Sequence, residues 1–315
     1  MKRQHKALAL LAVVALSAAA CGGDDDDDTA TSGDNGGDSA EVPDGPAIKI
    51  GAQDFGESAI LASIYDQALD DAGFDVDTVE VGGFRDLLFA AFESGDVNLA
   101  PEYVASELNF LEAGSATNDV DESLEKLQPL LEAKGLVALE PSEAVDNNIF
   151  VMTKDRADEL GIESLSDLAE KGADLKLGAP QDCEENAFCL PGLEETYGLD
   201  MSGNFVPLDA GVIATSLNEG AVDVAVLFST DGRLADEDWV VLEDDKNLAA
   251  ADNIVPVLTK ELVDAYGDPL TTVLNNISSE LTTDDVIEMN KRYDIDKDDA
   301  EDIAADWLAD HDVAA

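Results

Sequence analysis

Three cysteines, two histidines and a large surplus of carboxylates are the reactive side chains of this 315-residue chain. His5 and His311 sit at opposite ends of the sequence. No central imidazole can therefore shuttle protons near neutral pH or complete a Ser–His–Asp arrangement. Cys183 and Cys189 lie close together in Cys183-Glu184-Glu185-Asn186-Ala187-Phe188-Cys189. Such a pair can form a disulfide, remain as two thiols or share a metal, but no histidine or third cysteine completes a tetrahedral set. Clustered carboxylates such as Glu102, Asp209 and Asp231 offer acid–base or metal chemistry as an enzyme reading. With 71 acids against 17 bases, chance clusters of this kind are expected, so they weigh little. The net charge of −54 also excludes a nucleic-acid partner, whose phosphates need a basic face. The chemistry on offer is binding, and the chain reads as a non-enzyme without cofactors.

Hydrophobic residues make up 45% of the chain, enough to bury a core, and the length suits two domains or one domain in two lobes. The start has a different texture. Lys2, Arg3 and Lys6 precede an apolar run from Ala7 to Ala20, which describes an export signal. That run falls short of the roughly 20 apolar residues that cross a bilayer. Ser17-Ala18-Ala19-Ala20-Cys21-Gly22-Gly23 resembles a bacterial lipobox, with Ala18 where leucine is usual. Ordinary cleavage after an Ala-x-Ala pattern is the other reading. Lipidation of Cys21 is preferred because a tether follows at once. Residues 1–21 are thus read as a lipoprotein signal peptide ending at lipidated Cys21, and 22–46 as an acidic, disordered linker opening with Asp24–Asp28. Export in turn favours the disulfide for Cys183 and Cys189.

From Ala47 onward, elements able to position a site alternate. Ile48–Gly51 reads as a strand, then a helix spans Glu57–Ala72 with Ile60, Leu61, Ile64, Ala68 and Leu69 on one face. A strand over Phe74–Val81 precedes a helix carrying Phe84, Leu87, Leu88, Ala91 and Phe92 at helical spacing and stopped by Gly95. Val97–Ala100 is strand-like. The alternation resumes at Ile149–Met152 and continues through Leu175–Ala179, Phe205–Leu208, Val222–Phe228, Trp239–Leu242 and Ile254–Leu258. Thr282-Thr283-Asp284-Asp285 looks like a helix start. The pattern predicts an α/β protein with mostly parallel sheets and a cleft between two lobes, where small-molecule sites tend to lie.

Several stretches, in order, resemble the substrate-binding lipoproteins of ABC importers for glycine betaine, choline and carnitine. They include Ile48-Lys49-Ile50-Gly51-Ala52-Gln53-Asp54-Phe55-Gly56-Glu57, Ser94-Gly95-Asp96-Val97 through Pro101-Glu102-Tyr103, and Leu190-Pro191-Gly192-Leu193. Val222-Asp223-Val224 through Phe228-Ser229-Thr230-Asp231-Gly232 and Leu281-Thr282-Thr283-Asp284-Asp285 continue the series to about residue 310. The resemblance implies a two-lobed, periplasmic-binding-protein-like (type II) fold with two crossover strands. Lobe 1 would be 47–148 plus 254–315 and lobe 2 would be 149–253.

The same resemblance implies an extracytoplasmic, lipid-anchored receptor that passes a quaternary-ammonium solute to ABC permease subunits, for osmoprotection. A non-transporting surface sensor, or a binder of another small polar solute, is the alternative. A quaternary ammonium donates no hydrogen bond and is held by aromatic faces. Tyr103 and Phe228 match aromatic positions of the family, and Phe55 adjoins the first loop. Ser106 offers a hydroxyl to the ligand's polar end, Gln53 lies at the first helix N-terminus, and Thr230 and Asp231 lie beside the cleft. Asn147, Asn148 and Asn186 complete the expected set. Departures are visible too: Gln53 and Asn186 stand where betaine binders often carry Lys and Arg, and Asn148 and Ala214 stand where they carry cage tyrosines. Five tyrosines in all make a four-tyrosine cage implausible.

Overall fold

The alternating pattern folds as two sheets covered by helices. The computed structural model describes residues 45–311 and Val313. The export signal, Cys21 and the linker up to residue 44 lie outside the described residues. The first lobe runs β1 (Ile48–Ala52), α1 (Gly56–Asp71), β2 (Val76–Glu80), α2 (Arg85–Ser94), β3 (Leu99–Tyr103), α3 (Val104–Leu111), α4 (Val120–Glu132) and β4 (Leu136–Ala138). The second begins with β5 (Asn148–Thr153), α5 (Lys154–Leu160), α6 (Leu165–Lys171) and β6 (Leu177–Ala179). It continues through a single turn, α7 (Leu190–Gly192), then β7 (Phe205–Pro207), α8 (Ala210–Asn218), β8 (Val224–Phe228) and β9 (Trp239–Val241). The chain then returns to the first lobe with β10 (Ile254–Thr259), α9 (Lys260–Tyr266), α10 (Asp268–Glu280), α11 (Thr283–Lys291) and α12 (Ala300–Asp310). No described helix is long and apolar enough to cross a membrane.

Both sheets are mixed. The strand orders are β2-β1-β3-β10-β4 and β7-β6-β8-β5-β9. In each, the strand entering from the other lobe slots in antiparallel: β10 pairs with β3 and β4, and β5 with β8 and β9. The parallel pairs are β1 with β2 and β3, and β6 with β7 and β8. Strand β3 is buried along its whole length, as expected of a strand covered on both faces. One side packs on α1 and the C-terminal helices through Leu61, Leu274 and Trp307, the other on α2 to α4 through Leu88, Leu108 and Leu127.

The two crossing segments run beside each other. Val145 and Asn253 form an antiparallel bridge, and the Asp146 N–H donates to the Asp252 carbonyl at 3.0 Å. A hinge between lobes needs such a short, paired link.

Local signals explain the helix ends. Gly95 closes α2 in the left-handed conformation at φ 76°, where a Cβ would be strained. Thr282 and Asp285 form a reciprocal capping box at the start of α11. One part of the spacing argument fails. Phe84 is 73% exposed and Leu87 is also exposed, because Phe84 sits at the N-cap, before the helical period begins; the buried face of α2 is Leu88, Phe89 and Phe92.

Candidate functional site

The C-terminal ends of β1, β3 and β8 point toward the crossing segments, which is where ligands collect in open α/β sheets. A cavity of about 760 Å³ lies there. Phe55 and Glu57 reach it from the start of α1, Tyr103 from the end of β3 and Ser106 from α3. Asp146 and Asp252 line it from the two crossing segments. Phe228, Thr230 and Asp231 enter from the end of β8, and Asn290 and Asp294 from α11 and the turn after it. A smaller space of about 280 Å³ adjoins it, sharing Ser106, Asp146, Phe228 and Asp252 and adding Asn147, Asn148 and Asn186.

The walls are a network of buried carboxyls. Tyr103 donates its hydroxyl to Glu57 Oε1 at 2.6 Å, and Asn290 Nδ2 donates to Glu57 Oε2 at 2.7 Å and to the Thr230 carbonyl at 2.9 Å. Burial pushes the Glu57 carboxyl above its ordinary range despite those donors. Thr230 Oγ1 donates to Asp146 Oδ1 at 2.9 Å, yet burial, and then the nearby Glu57, hold Asp146 well above the usual value. Ser106 gives Asp252 both its N–H at 2.9 Å and its hydroxyl at 2.5 Å, and burial pushes Asp252 up to about 6.

The two arginines at this cavity are already engaged. Arg85 holds the fully buried Glu102 in a bidentate pair, with Nη2 to Oε2 at 2.8 Å, and Arg233 Nε meets Asp231 Oδ1 at 2.8 Å. Behind the wall Glu107 is fully buried, and neither carboxyl oxygen has a hydrogen-bond partner among the described residues.

Of the residues singled out in the sequence, Phe55, Tyr103, Ser106, Phe228, Thr230 and Asp231 share the main cavity, and Asn147, Asn148 and Asn186 the adjoining one. Gln53 lines neither. It is buried, and its backbone N–H donates to Ser58 Oγ at 2.9 Å. The Ser106 and Thr230 hydroxyl protons are spent on Asp252 and Asp146, and Asp231 caps the 3₁₀ turn Gly232–Ala235 while pairing Arg233. Asn147 ties the crossing segment to Ser229 Oγ through its N–H, and Asn186 Oδ1 accepts from the Phe188 N–H. Cys183 and Cys189 are joined by a disulfide, with Cα atoms 5.2 Å apart, and stand in the wall of the smaller space.

Sequence reasoning missed Glu57, Arg85, Asp146, Asp252, Asn290 and Asp294. Glu57 closes the first matched motif, after Gly56, and that was its only signal. Asp209 of the catalytic reading lies away from both spaces, exposed at the start of α8. Two close approaches fix the frame. A Cβ on Gly232 would lie 2.3 Å from the Lys291 backbone nitrogen, so glycine there lets the turn after β8 rest on α11. A Cβ on Gly192 would lie 2.2 Å from the Ala187 carbonyl, which explains the glycine of Leu190-Pro191-Gly192.

Two sheets, paired crossings and a polar–aromatic cavity between them define a two-lobed solute receptor. Residues 46–310 match the family described as the substrate binding domain of ABC-type glycine betaine transport systems, and the chain belongs to that family. A glycine-betaine-binding protein of Pseudomonas aeruginosa is 31% identical over 283 residues, covering 87% of this chain and 90% of that one. The glycine betaine-binding protein YehZ of Escherichia coli is 26% identical, covering 83% and 89%. Among solved structures, a glycine betaine/carnitine/choline ABC transporter protein superposes with a TM-score of 0.76 at 25% identity, covering 84% of this chain and 98% of that one. Apo YehZ superposes at 0.69 and 23% identity, covering 84% and 98%, and supports the fold.

Proposed function

We propose that the protein is the extracytoplasmic receptor of an ABC importer and that its cleft takes a quaternary-ammonium solute, choline-like solutes ahead of betaines. The observation that carries this reading is the charge of the cavity wall. Glu57, Asp146 and Asp252 face it without an ion-pair partner among the described residues, whereas Arg85 and Arg233 are both held by carboxylates. A fixed cation gains from the acids and from the faces of Phe55, Tyr103 and Phe228, each worth roughly 0.5–2 kcal/mol when dry. A carboxylate on the same solute finds no free cation here.

The rest of the proposal concerns the ends and the boundaries. Lipid at Cys21 anchors the protein to the membrane, residues 22–46 act as the leash, and the lobes divide at 148/149 and 253/254. Delivery to the permease, not catalysis, is the task. A thermal-shift screen with choline, betaine, carnitine, proline betaine and ectoine tests the ligand class, because a binder of the native state raises the midpoint by mass action. Choline is expected to give the largest rise and ectoine none. A flat response to every quaternary ammonium would overturn the reading.

A further inference from the structure

Glu57, Asp146 and Asp252 come from three separate segments, α1 and the two crossings, and converge on one cavity. Glu57 and Asp252 are buried and Asp146 is half-buried, so an unpaired charge on any of them is costly. Around Glu57 stand Tyr103 from β3, Asn290 from α11, Asp294 after α11, and Thr230 and Asp146. Asp146 meets Glu57, Tyr103, Thr230, Asp231 and Asp252. Asp252 meets Asp146, Ser106 and Glu107 of α3, Arg85 of α2 and Glu102 of β3. The one cation in these three lists is Arg85, and Glu102 already holds it at 2.8 Å. Arg233 reaches the cavity but is held by Asp231.

From this geometry we infer that the cleft exchanges a proton for its cation: an incoming quaternary ammonium supplies the missing counter-charge, and a carboxyl of the Glu57–Asp146–Asp252 cluster releases a proton to solvent. The inference rests on the reading that the cleft takes a fixed cation. Such a ligand carries its charge at every pH and donates no hydrogen bond, so it can act on the cluster only through its field. The empty site holds a proton against carboxylate repulsion, and the filled site does not need it. Burial raises the proton affinity of all three carboxyls, that of Asp252 to about 6, so the cluster holds protons at a pH where ordinary carboxyls are ionised. Linkage then makes capture weaker in acid.

Isothermal titration of the protein with choline chloride at pH 7, in phosphate and in Tris, reads the exchange directly. The two buffers differ in ionisation enthalpy, so proton release makes the observed heats differ. The expected result is about half a proton released per choline, with affinity about tenfold lower at pH 5.5 than at pH 7.5. Asp146→Asn and Asp252→Asn are each expected to lower the proton count; they lie on different crossings, and either one that folds suffices. Choline binding with equal heats in both buffers and a flat pH profile would overturn the exchange while leaving the ligand class standing. No binding of choline or betaine at any pH would overturn the ligand class, and the exchange with it.

Discussion

Tyr103 and Phe228 end equivalent strands, β3 and β8, and face one cavity, yet Tyr103 is 5% exposed and Phe228 is 54% exposed. The wall from the first lobe is finished: Tyr103 is pinned to Glu57, and Glu102 is pinned to Arg85. The wall from the second lobe presents an uncovered ring, a short turn resting on α11 and a loop tied by a disulfide. One wall is preorganised, and the other has apolar surface still to bury. Closure over a ligand would cover Phe228 with Phe55 and Ile295, which are also exposed at the cavity.

That contrast can be broken experimentally. Tyr103→Ala removes a buried ring and a donor to Glu57, so it should cost about 3–5 kcal/mol of stability and at least tenfold in affinity. Chemical denaturation and calorimetry read the two losses, and a stable, fully binding variant would show that the first wall is not preorganised. Cys183→Ser with Cys189→Ser should cost about 2–3 kcal/mol, the value for so short a loop, and should loosen the second lobe alone. Non-reducing mass spectrometry should find the two cysteines linked, and free thiols would remove the staple from the account.

The acid network predicts an unusual pH trend. Glu57, Asp146 and Asp252 bind protons more tightly folded than unfolded, so folding takes up protons. Stability of the empty protein should therefore fall as pH rises through the folded values, by on the order of 2 kcal/mol between pH 5 and pH 8. A thermal midpoint that rises with pH would contradict the burial described. Phe228→Ala, the smallest perturbation of the fold, should change stability by no more than about 0.5 kcal/mol because the ring is exposed. Affinity should nevertheless drop severalfold, and an unchanged affinity would take the second lobe's ring out of the cage.

Much of the frame was legible because it is local. Helical spacing marks α1, Gly95 stops α2, and Thr282 with Asp285 starts α11, each by chemistry within a few residues. The resemblance returned 254–315 to lobe 1, but the strand partners of β10 were not legible, since its pairing with β3 joins residues some 150 positions apart and hydrophobic pattern carries no partner. Within the site, Tyr103 and Phe228 were legible because they fall at aromatic positions of the family the chain resembles. The carboxyls that matter were not, because what brings Glu57, Asp146 and Asp252 to one cavity is tertiary packing, which no local pattern records. Gln53 shows the converse: a loop residue at a helix start faces the cleft by position, yet packing buries it.

A crystal structure of the choline complex bears on the central claim most directly. The ammonium nitrogen should lie between the lobes, within about 6 Å of the ring centroids of Tyr103 and Phe228, with the Glu57–Asp146–Asp252 wall beside it. Choline seated elsewhere, for example in the cavity of about 520 Å³ lined by Asn118, Leu242 and Asn247, beyond Asn147 and Asn148, would contradict it.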